Sequence, residues 1–134
     1  MSRPMLALTL FLLGAASAQA DGLRLDFNWG NTPACATGVP ATIPNPPFIV
    51  TNVPPGTRVL DFRMVDLNVP SYDHGGGMVR YTGQAVIQPG AFTYRGPCPP
   101  SGRHRYAWTL AAKDNPGLFA RVLATATAVR NFPQ

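Results

Sequence analysis

The sequence predicts a single, mostly β domain, and three features of it indicate this fold class. Fifteen prolines and thirteen glycines punctuate the chain of 134 residues, which leaves little room for long helices and favours short strands joined by tight turns. Apolar and polar residues alternate from Leu23 to Trp29, as in a half-buried strand. The alternation recurs from His104 to Ala112, where the even-numbered residues form one largely apolar face.

The N-terminal residues have the pattern of an export signal. Arg3 is followed by the apolar stretch Met5–Ala16 and by Ala18-Gln19-Ala20, which has the small residues that signal peptidase requires. We therefore expect residues 1–20 to be a signal peptide and the mature protein to be periplasmic or secreted. The apolar stretch is too short to span a bilayer, and no second one follows, so stable membrane insertion is not expected.

Residues 21–134 have a length that suits one compact domain rather than two. Loss of Arg3 with the signal peptide lowers the formal net charge from +5 to +4. The arginines are scattered along the chain instead of forming a basic block, so nucleic-acid binding is not expected. Guanidinium groups do favour phosphate or carboxylate ligands, which leaves a small anion as a possible partner.

Cys35 and Cys98 are the only two cysteines. In an exported protein an even pair indicates a disulfide, and closing so long a loop contributes about 4 kcal/mol in the chain-entropy model. Free thiols and zinc are the alternatives. The spacing of the two cysteines with His74 and His104 matches no zinc pattern, so neither a metal nor another cofactor is expected.

Further strands are predicted where short apolar runs lie between turn residues. The segment Asn31–Pro47 contains five prolines and is expected to be a loop. The predicted strands are Phe48–Asn52, Thr57–Asp66, Met78–Tyr81, Gln84–Ile87 and Ala91–Tyr94.

One short C-terminal helix is predicted near residues 116–127. Asn115 and Pro116 suit the N-cap and first positions of a helix. The apolar residues that follow fit one helical face (Leu118, Val122, Leu123 and Ala126). The alternative is a strand, because threonine and valine late in this segment favour extended backbone.

The segment Asp73–Gly77 resembles the oxyanion-hole loop of lipases and esterases. That chemistry also needs a nucleophilic serine in a G-x-S-x-G turn, and neither Ser71 nor Ser101 lies in one. We therefore do not expect an enzyme. Amides of Gly75–Gly77 could still line an anion-binding turn, although a hairpin loop without a ligand is the commoner use of such a triplet.

The two histidines are candidate ligand-binding groups. His74 and His104 each lie beside a loop rich in glycine or proline, with Asp66 and Tyr106 near them in the sequence. A carboxylate at a strand end can orient a histidine or accept turn amides, and a histidine on an apolar strand face is more often a core residue. Together these groups would suit one small anionic head group.

Two stretches carry a resemblance to a known family. Gly96-Pro97-Cys98-Pro99-Pro100 and Gly102-Arg103-His104-Arg105-Tyr106 resemble the G-x-x-PP-x-G-x-HRY stretch of the phosphatidylethanolamine-binding protein family, in its bacterial Raf-kinase-inhibitor-like branch. Upstream, Asp66-Leu67-Asn68-Val69-Pro70 is similar to the family motif D-P-D-A-P, and His74 is similar to the histidine that follows it.

The resemblance implies a Greek-key β-sandwich with a small anion pocket that binds phosphate, acetate or phospholipid head groups. By position, the residues expected to line the pocket are Asp66, Pro70, His74, Gly96, Pro97, His104 and Tyr106. The motif proline also makes Val69–Pro70 a candidate cis peptide bond.

The chain departs from the family at Asn68, where relatives carry an aspartate, and at Gly75–Gly77, where they carry an aromatic residue and a strand. The expected function is binding of a small anion or phosphorylated head group by a monomer. The alternative is a protein-interaction or inhibitor module with a vestigial pocket and a protein partner.

Overall fold

The computed structural model describes residues 22–134, so the predicted signal peptide lies outside the described residues. No helix long and apolar enough to cross a membrane occurs in this part of the chain. The elements of residues 22–134 are strands: β1 Arg24–Phe27, β2 Thr42–Pro44, β3 Phe48–Thr51, β4 Val59–Asp66, β5 Gly76–Arg80, β6 Val86–Ile87, β7 Thr93–Arg95, β8 His104–Lys113 and β9 Val122–Phe132.

The strands of residues 22–134 form three antiparallel sheets. A four-stranded sheet has the order β5-β4-β8-β9, a three-stranded sheet has the order β1-β3-β6, and β2 pairs with β7. Long strands occur where the alternation of apolar residues is long, because each added pair extends both the hydrogen-bond ladder and the buried face.

One core lies between the four-stranded and three-stranded sheets. The ring of Phe48 on β3 stacks on Phe62 of β4 at 4.5 Å and meets Trp108 of β8 edge-on at 5.0 Å. The sheets therefore pack face to face through aromatic side chains, and each buried ring contributes about 1.5–3 kcal/mol. The fully buried large apolar side chains include Phe48, Leu60, Phe62, Tyr106, Trp108 and Leu110.

The mostly β prediction is confirmed, and β8 has the predicted face: Tyr106, Trp108, Leu110 and Ala112 are all buried. The loop predicted over residues 31–47 contains one short strand, β2, which pairs with β7 so that Ile43 lies opposite Tyr94. The strand β2 has only three residues and ends in a proline, which is too short for an alternating pattern to be recognised in the sequence. It forms by pairing with β7, which is distant in the sequence.

The predicted C-terminal helix is wrong, because the first half of that segment is a turn and the second half, from Val122 onwards, belongs to β9, which pairs with β8. Asn115 does not cap a helix; its side-chain oxygen accepts the amide of Gly117 at 2.8 Å. The amide of Arg121 likewise donates to Asp114 Oδ1 at 2.8 Å. These turn contacts close a hairpin. The backbone of β9 then pairs with the open edge of β8, and the β-branched residues of β9 favour the extended conformation that this needs.

The candidate cis bond is also wrong. The cis peptide bond among residues 22–134 is Phe132–Pro133, and Val69–Pro70 is trans. The amide of Val69 donates to the carbonyl of Asp66 at 3.1 Å, and the amide of Tyr72 donates to the carbonyl of Val69 at 3.1 Å. Two successive turns thus redirect the chain with an ordinary trans bond.

The predicted disulfide between Cys35 and Cys98 is confirmed, with an S–S distance of 2.04 Å. It joins positions 63 residues apart, so it ties the segment before β2 to the segment before β8. The amide of Thr37 lies 3.3 Å from the Cys98 sulfur. The loop that begins at Pro33 is therefore held against the end of the four-stranded sheet.

Replacing both cysteines by serine should lower the free energy of unfolding by about 2–4 kcal/mol, because the unfolded chain then regains the entropy of the open loop. Urea unfolding of the wild type and the Cys35→Ser/Cys98→Ser variant measures this. The unfolded, unreduced wild type should bind no thiol reagent. Two labelled thiols, or equal stability of the two proteins, would contradict the disulfide.

Candidate functional site

A small cavity lies where β4 ends and β8 begins. The two strands pair so that Asp66 lies opposite Tyr106, and His104 precedes Tyr106 by two residues on the same face. The cavity has a volume of about 90 Å³. Its lining residues come from four separate segments: Gly38, Pro40, Asp66, Val69, Tyr72, His74, Cys98, Pro99, Pro100, His104 and Tyr106.

Asp66 orients His104. The Nδ1 nitrogen of His104 donates to Asp66 Oδ2 at 2.7 Å. Asp66 Oδ1 accepts the amides of Asn68 at 2.9 Å and Val69 at 3.2 Å. Burial raises the pKa of this carboxyl, but the hydrogen bonds from His104 and the two amides outweigh it, so the pKa lies below its ordinary value. Asp66 is therefore an ionised acceptor that keeps the proton of His104 on Nδ1.

His74 is held by the backbone of Arg95 and is only 2% exposed. Its Nδ1 lies 2.7 Å from the carbonyl oxygen of Arg95, and its own carbonyl accepts the Arg95 amide at 2.9 Å. A carbonyl can only accept, so Nδ1 carries the proton. Burial lowers the pKa of His74, and the backbone carbonyl and the nearby carboxylates of Asp66 and Asp73 only partly offset it. The ring is therefore neutral at pH 7.

Tyr106 lies between the two histidines and is fully buried. Its ring is perpendicular to that of His74, with centroids 5.6 Å apart, and lies 6.3 Å from that of His104. Burial, followed by the charge and hydrogen bonding of Asp66, raises the pKa of Tyr106 well above its ordinary value. The hydroxyl therefore stays protonated, so Tyr106 is a hydrogen-bond donor at the floor of the cavity.

The disulfide builds the opposite wall. Gly38 and Pro40 belong to the loop tied down by Cys35, and they face Pro99 and Pro100, which follow Cys98. Gly38 has a φ of +75°, and a Cβ there would approach the Cβ of Pro100 to 3.2 Å. The loop thus needs glycine at this point both for its turn and for its close approach to the proline segment.

Four of the seven residues expected at the pocket line this one cavity: Asp66, His74, His104 and Tyr106. Pro70 is exposed in the turn outside the cavity. Gly96 and Pro97 are buried and line a neighbouring cavity of about 100 Å³. The amide of Gly96 donates to the carbonyl of Ala41 at 2.9 Å, so this segment supports the cavity wall from behind. Ligand binding by these residues stays a prediction.

Several lining residues were not predicted from the sequence. Tyr72 packs edge-on against His74 with ring centroids 4.6 Å apart, and its place between Asp66 and His74 in the chain was the signal for it. Gly38 and Pro40 are distant from the other site residues in sequence. Only the expected pairing of Cys35 with Cys98 pointed to their segment.

Two glycines of the triplet Gly75–Gly77 are needed for close packing. A Cβ on Gly76 would lie 1.8 Å from the carbonyl oxygen of Phe62, and one on Gly77 would lie 2.5 Å from the side chain of Phe92. The amide of Gly75 donates to Asp73 Oδ1 at 2.8 Å. Gly76 and Gly77 therefore let β5 lie close to its neighbours, whereas Gly75 has a φ of +73° in the turn before β5. None of the three lines the cavity.

Asn68, the other departure from the family motif, anchors the turn. Its Oδ1 accepts the amide of Arg105 at 2.8 Å, and the amide of Leu67 donates to the Arg105 carbonyl at 2.8 Å. These bonds continue the pairing of β4 and β8 past their ends. The amide side chain at Asn68 thus holds the Asp66 turn over the cavity without lining it.

Comparison with known proteins points to one fold. No family model matches the chain. The UPF0098 protein of Methanothermobacter thermautotrophicus is 37% identical over 67 residues, which are 50% of this chain and 39% of that protein. The matching segment thus spans less than half of that relative.

Two solved structures cover nearly all of the described domain. The first is a phosphatidylethanolamine-binding protein homologue of Chlamydia trachomatis, with a TM-score of 0.59, 16% identity, and coverage of 86% of this chain and 99% of that chain. The second is Escherichia coli YbcL, described as a new member of the mammalian phosphatidylethanolamine-binding protein family. Its TM-score is 0.60 at 14% identity, and the match covers 83% of this chain and 98% of that chain.

The chain therefore has the fold of the phosphatidylethanolamine-binding proteins. This confirms the resemblance carried by the stretch from Gly96 to Tyr106. The two stretches that carry the resemblance meet at the junction of β4 and β8, where the cavity lies.

Acidification should destabilise the fold through His74. The folded protein holds the pKa of His74 below the ordinary value of about 6.5, so the unfolded chain takes up that proton first. The contribution of neutral His74 to the free energy of unfolding is then fully present above about pH 6.5. It decreases as the pH falls towards the pKa of His74 in the folded protein, by at most about 1.4 kcal/mol per pH unit for one proton.

Urea unfolding between about pH 7.5 and 5.5 measures this slope. The matched variant is His74→Gln, which does not titrate and should show a shallower slope over the same range. Equal slopes for the two proteins would show that the neutral state of His74 does not contribute.

Proposed function

We propose that this protein is an exported, non-enzymatic module that binds a small anion or a phosphorylated head group. The observation that carries the proposal is the convergence of Asp66, His74, His104 and Tyr106 on one cavity. His74, His104 and Tyr106 carry hydrogen-bond donors, and Asp66 sets the position of the proton on His104.

The hydrogen bonds leave the same atom of each histidine for a ligand. Nδ1 of His104 is engaged by Asp66, and Nδ1 of His74 is engaged by Arg95. Nε2 of each ring is therefore the nitrogen left for a ligand. A neutral Nε2 accepts from a protonated ligand oxygen or an ammonium group, whereas a protonated one donates to an anion.

The charge of Asp66 makes anion binding depend on protons. An anion that enters next to this ionised carboxylate is repelled unless a histidine is protonated or the ligand itself carries a proton. By linkage, a bound anion would also raise the pKa of His74 from its lowered value. The site thus suits a phosphate or phosphomonoester taken up together with a proton.

The size of the cavity restricts the ligand. A volume of about 90 Å³ is well below the roughly 300–1,000 Å³ of pockets that enclose drug-sized molecules. Only a small group fits, such as inorganic phosphate, acetate or one phosphorylated head group. Both similar structures are described as relatives of the phosphatidylethanolamine-binding proteins, which supports this class of ligand.

The same likeness supports two finer proposals about the chain. It supports a Greek-key sandwich and a place in the bacterial Raf-kinase-inhibitor-like branch. The disulfide is compatible with an oxidising compartment and, with the signal peptide expected over residues 1–20, it supports export to the periplasm or beyond.

Phosphate and phosphoethanolamine should bind more tightly at about pH 5.5 than at about pH 7.5, because protonated histidine donates to the anion. Isothermal titration calorimetry at both pH values measures this. His74→Ala should weaken binding at low pH by about tenfold or more, as expected for loss of one charge-assisted hydrogen bond. Asn31→Ala, on a surface loop outside the cavity, is the matched control and should bind like the wild type.

The two ligands separate the possible sources of the anion. Tighter binding of phosphoethanolamine indicates a lipid head group, and equal binding indicates free phosphate. Absence of heat at either pH, with the fold intact by circular dichroism, contradicts the ligand proposal. A protein partner that binds saturably, and whose binding is unchanged by His74→Ala, would then favour the protein-interaction alternative.

A further inference from the structure

The strand β9 is an edge of the four-stranded sheet and presents half of its backbone groups outward. On β8, the amide and carbonyl of Arg105 bond to Asn68 and Leu67, so they face β4. Asn131, which pairs with Arg105, must therefore point its own backbone groups away from β8. By the alternation of an antiparallel ladder, the odd-numbered residues from Thr125 to Asn131 do the same.

The outward edge of β9 is covered at only one end. The indole Nε1 of Trp29 donates to the carbonyl of Asn131 at 2.7 Å, and Arg130 bonds to the carbonyl of Phe27. Further back, Thr125 and Thr127 are exposed, and no hydrogen bond within residues 22–134 uses their outward amides or carbonyls. The open edge therefore runs through the middle of the strand.

This open edge lacks the devices that usually prevent edge pairing. No charged residue occurs from Val122 to Val129, and β9 contains no proline. The ladder irregularity leaves Leu123 of β9 without a partner on β8, and from Ala124 to Phe132 the pairing with β8 is regular. An uncharged and regular stretch of edge strand, as from Ala124 to Val129, is a template for another strand.

The sequence of the edge is complementary to itself. Residues 124–128 read Ala-Thr-Ala-Thr-Ala in both directions. If two copies align antiparallel with Ala126 opposite Ala126, Thr125 of each copy lies opposite Thr127 of the other. Both residues present outward backbone groups, so each such pair can exchange two backbone hydrogen bonds. Thr–Thr pairs then form on one face and Ala–Ala pairs on the other, and both are favourable neighbours.

We propose that two copies of this chain pair through β9 to form a two-fold symmetric dimer. The two four-stranded sheets would then join into one continuous sheet of eight strands, four from each copy. Such an interface is isologous, because each copy contributes the same strand. Residues 124–128 of both copies are uncharged, so no like charges face each other in this central stretch of the pairing. This departs from the monomer expected from the sequence.

The hairpin tip before β9 provides apolar contacts that the strand alone lacks. Leu118 and Phe119 are 99% and 97% exposed, an unusual position for two consecutive large apolar side chains. In the antiparallel pairing, the tip of each copy lies beside the C-terminal end of β9 in the second copy. An apolar cavity of about 340 Å³ lies there, lined in part by Trp29, Phe132 and Pro133.

The proposed dimer requires the register that places Thr125 of each copy opposite Thr127 of the other. Charged substitutions at these two threonines test that register. Sedimentation velocity from about 1 to about 200 µM should show a concentration-dependent dimer of the wild type. Thr125→Lys/Thr127→Lys places two pairs of like charges across the interface and should weaken the dimer by about tenfold or more. Thr125→Lys/Thr127→Glu places opposite charges at the same pairs and should restore it.

The charge-matched control is Gln88→Lys/Thr93→Lys, which adds the same charge at exposed positions away from β9 and should dimerise like the wild type. Phe119→Ser tests the hairpin tip and should also weaken the dimer. Circular dichroism checks that each variant is folded. A wild type that stays monomeric throughout, a dimer that tolerates Thr125→Lys/Thr127→Lys, or failure of Thr125→Lys/Thr127→Glu to restore pairing would overturn the proposal.

Discussion

The pairing of β4 with β8 is the constraint on which the rest of the molecule depends. Its register places Phe62 and Leu110 in the core and, at the other end of the same ladder, Asp66 opposite Tyr106. Because side chains on a strand alternate with a period of two, the parity that buries the core also points Asp66 and Tyr106 to the same side. A shift of one residue would remove both the core and the cavity.

The cavity lies where hydrogen bonds continue the pairing of β4 and β8 beyond the ends of the two strands. Asn68 and Leu67 bind the backbone of Arg105, and the turn they stabilise leaves the two oxygens of Asp66 facing amides and His104. The backbone of Arg95 holds His74 in the same way. Both rings are thus fixed with the proton on Nδ1 before any ligand arrives, which is the kind of preorganisation that a small binding site needs.

A disulfide-linked loop and two glycines shape the surroundings of the β4–β8 pair. The disulfide holds Gly38 and Pro40 against the proline segment and narrows the cavity, so the covalent link shapes the site as well as limiting the unfolded state. Gly76 and Gly77 allow β5 to approach β4 and the ring of Phe92. At one edge of this sheet lies β9, which is uncharged from Val122 to Val129, and this is where a second copy is proposed to bind.

The sequence by itself determined the strand class, the face of β8, the cysteine pairing and the family resemblance, because periodicity, composition and motifs are local properties. It also brought Asp66, His74, His104 and Tyr106 under consideration. Only the tertiary structure decided that residues 122–132 are a strand, since the unpaired edge of β8 outweighs the local helix signals of Asn115 and Pro116. It likewise decided which motif residues line the cavity and which lie outside it, because Pro70 is exposed in the turn and Gly96 and Pro97 line a neighbouring cavity.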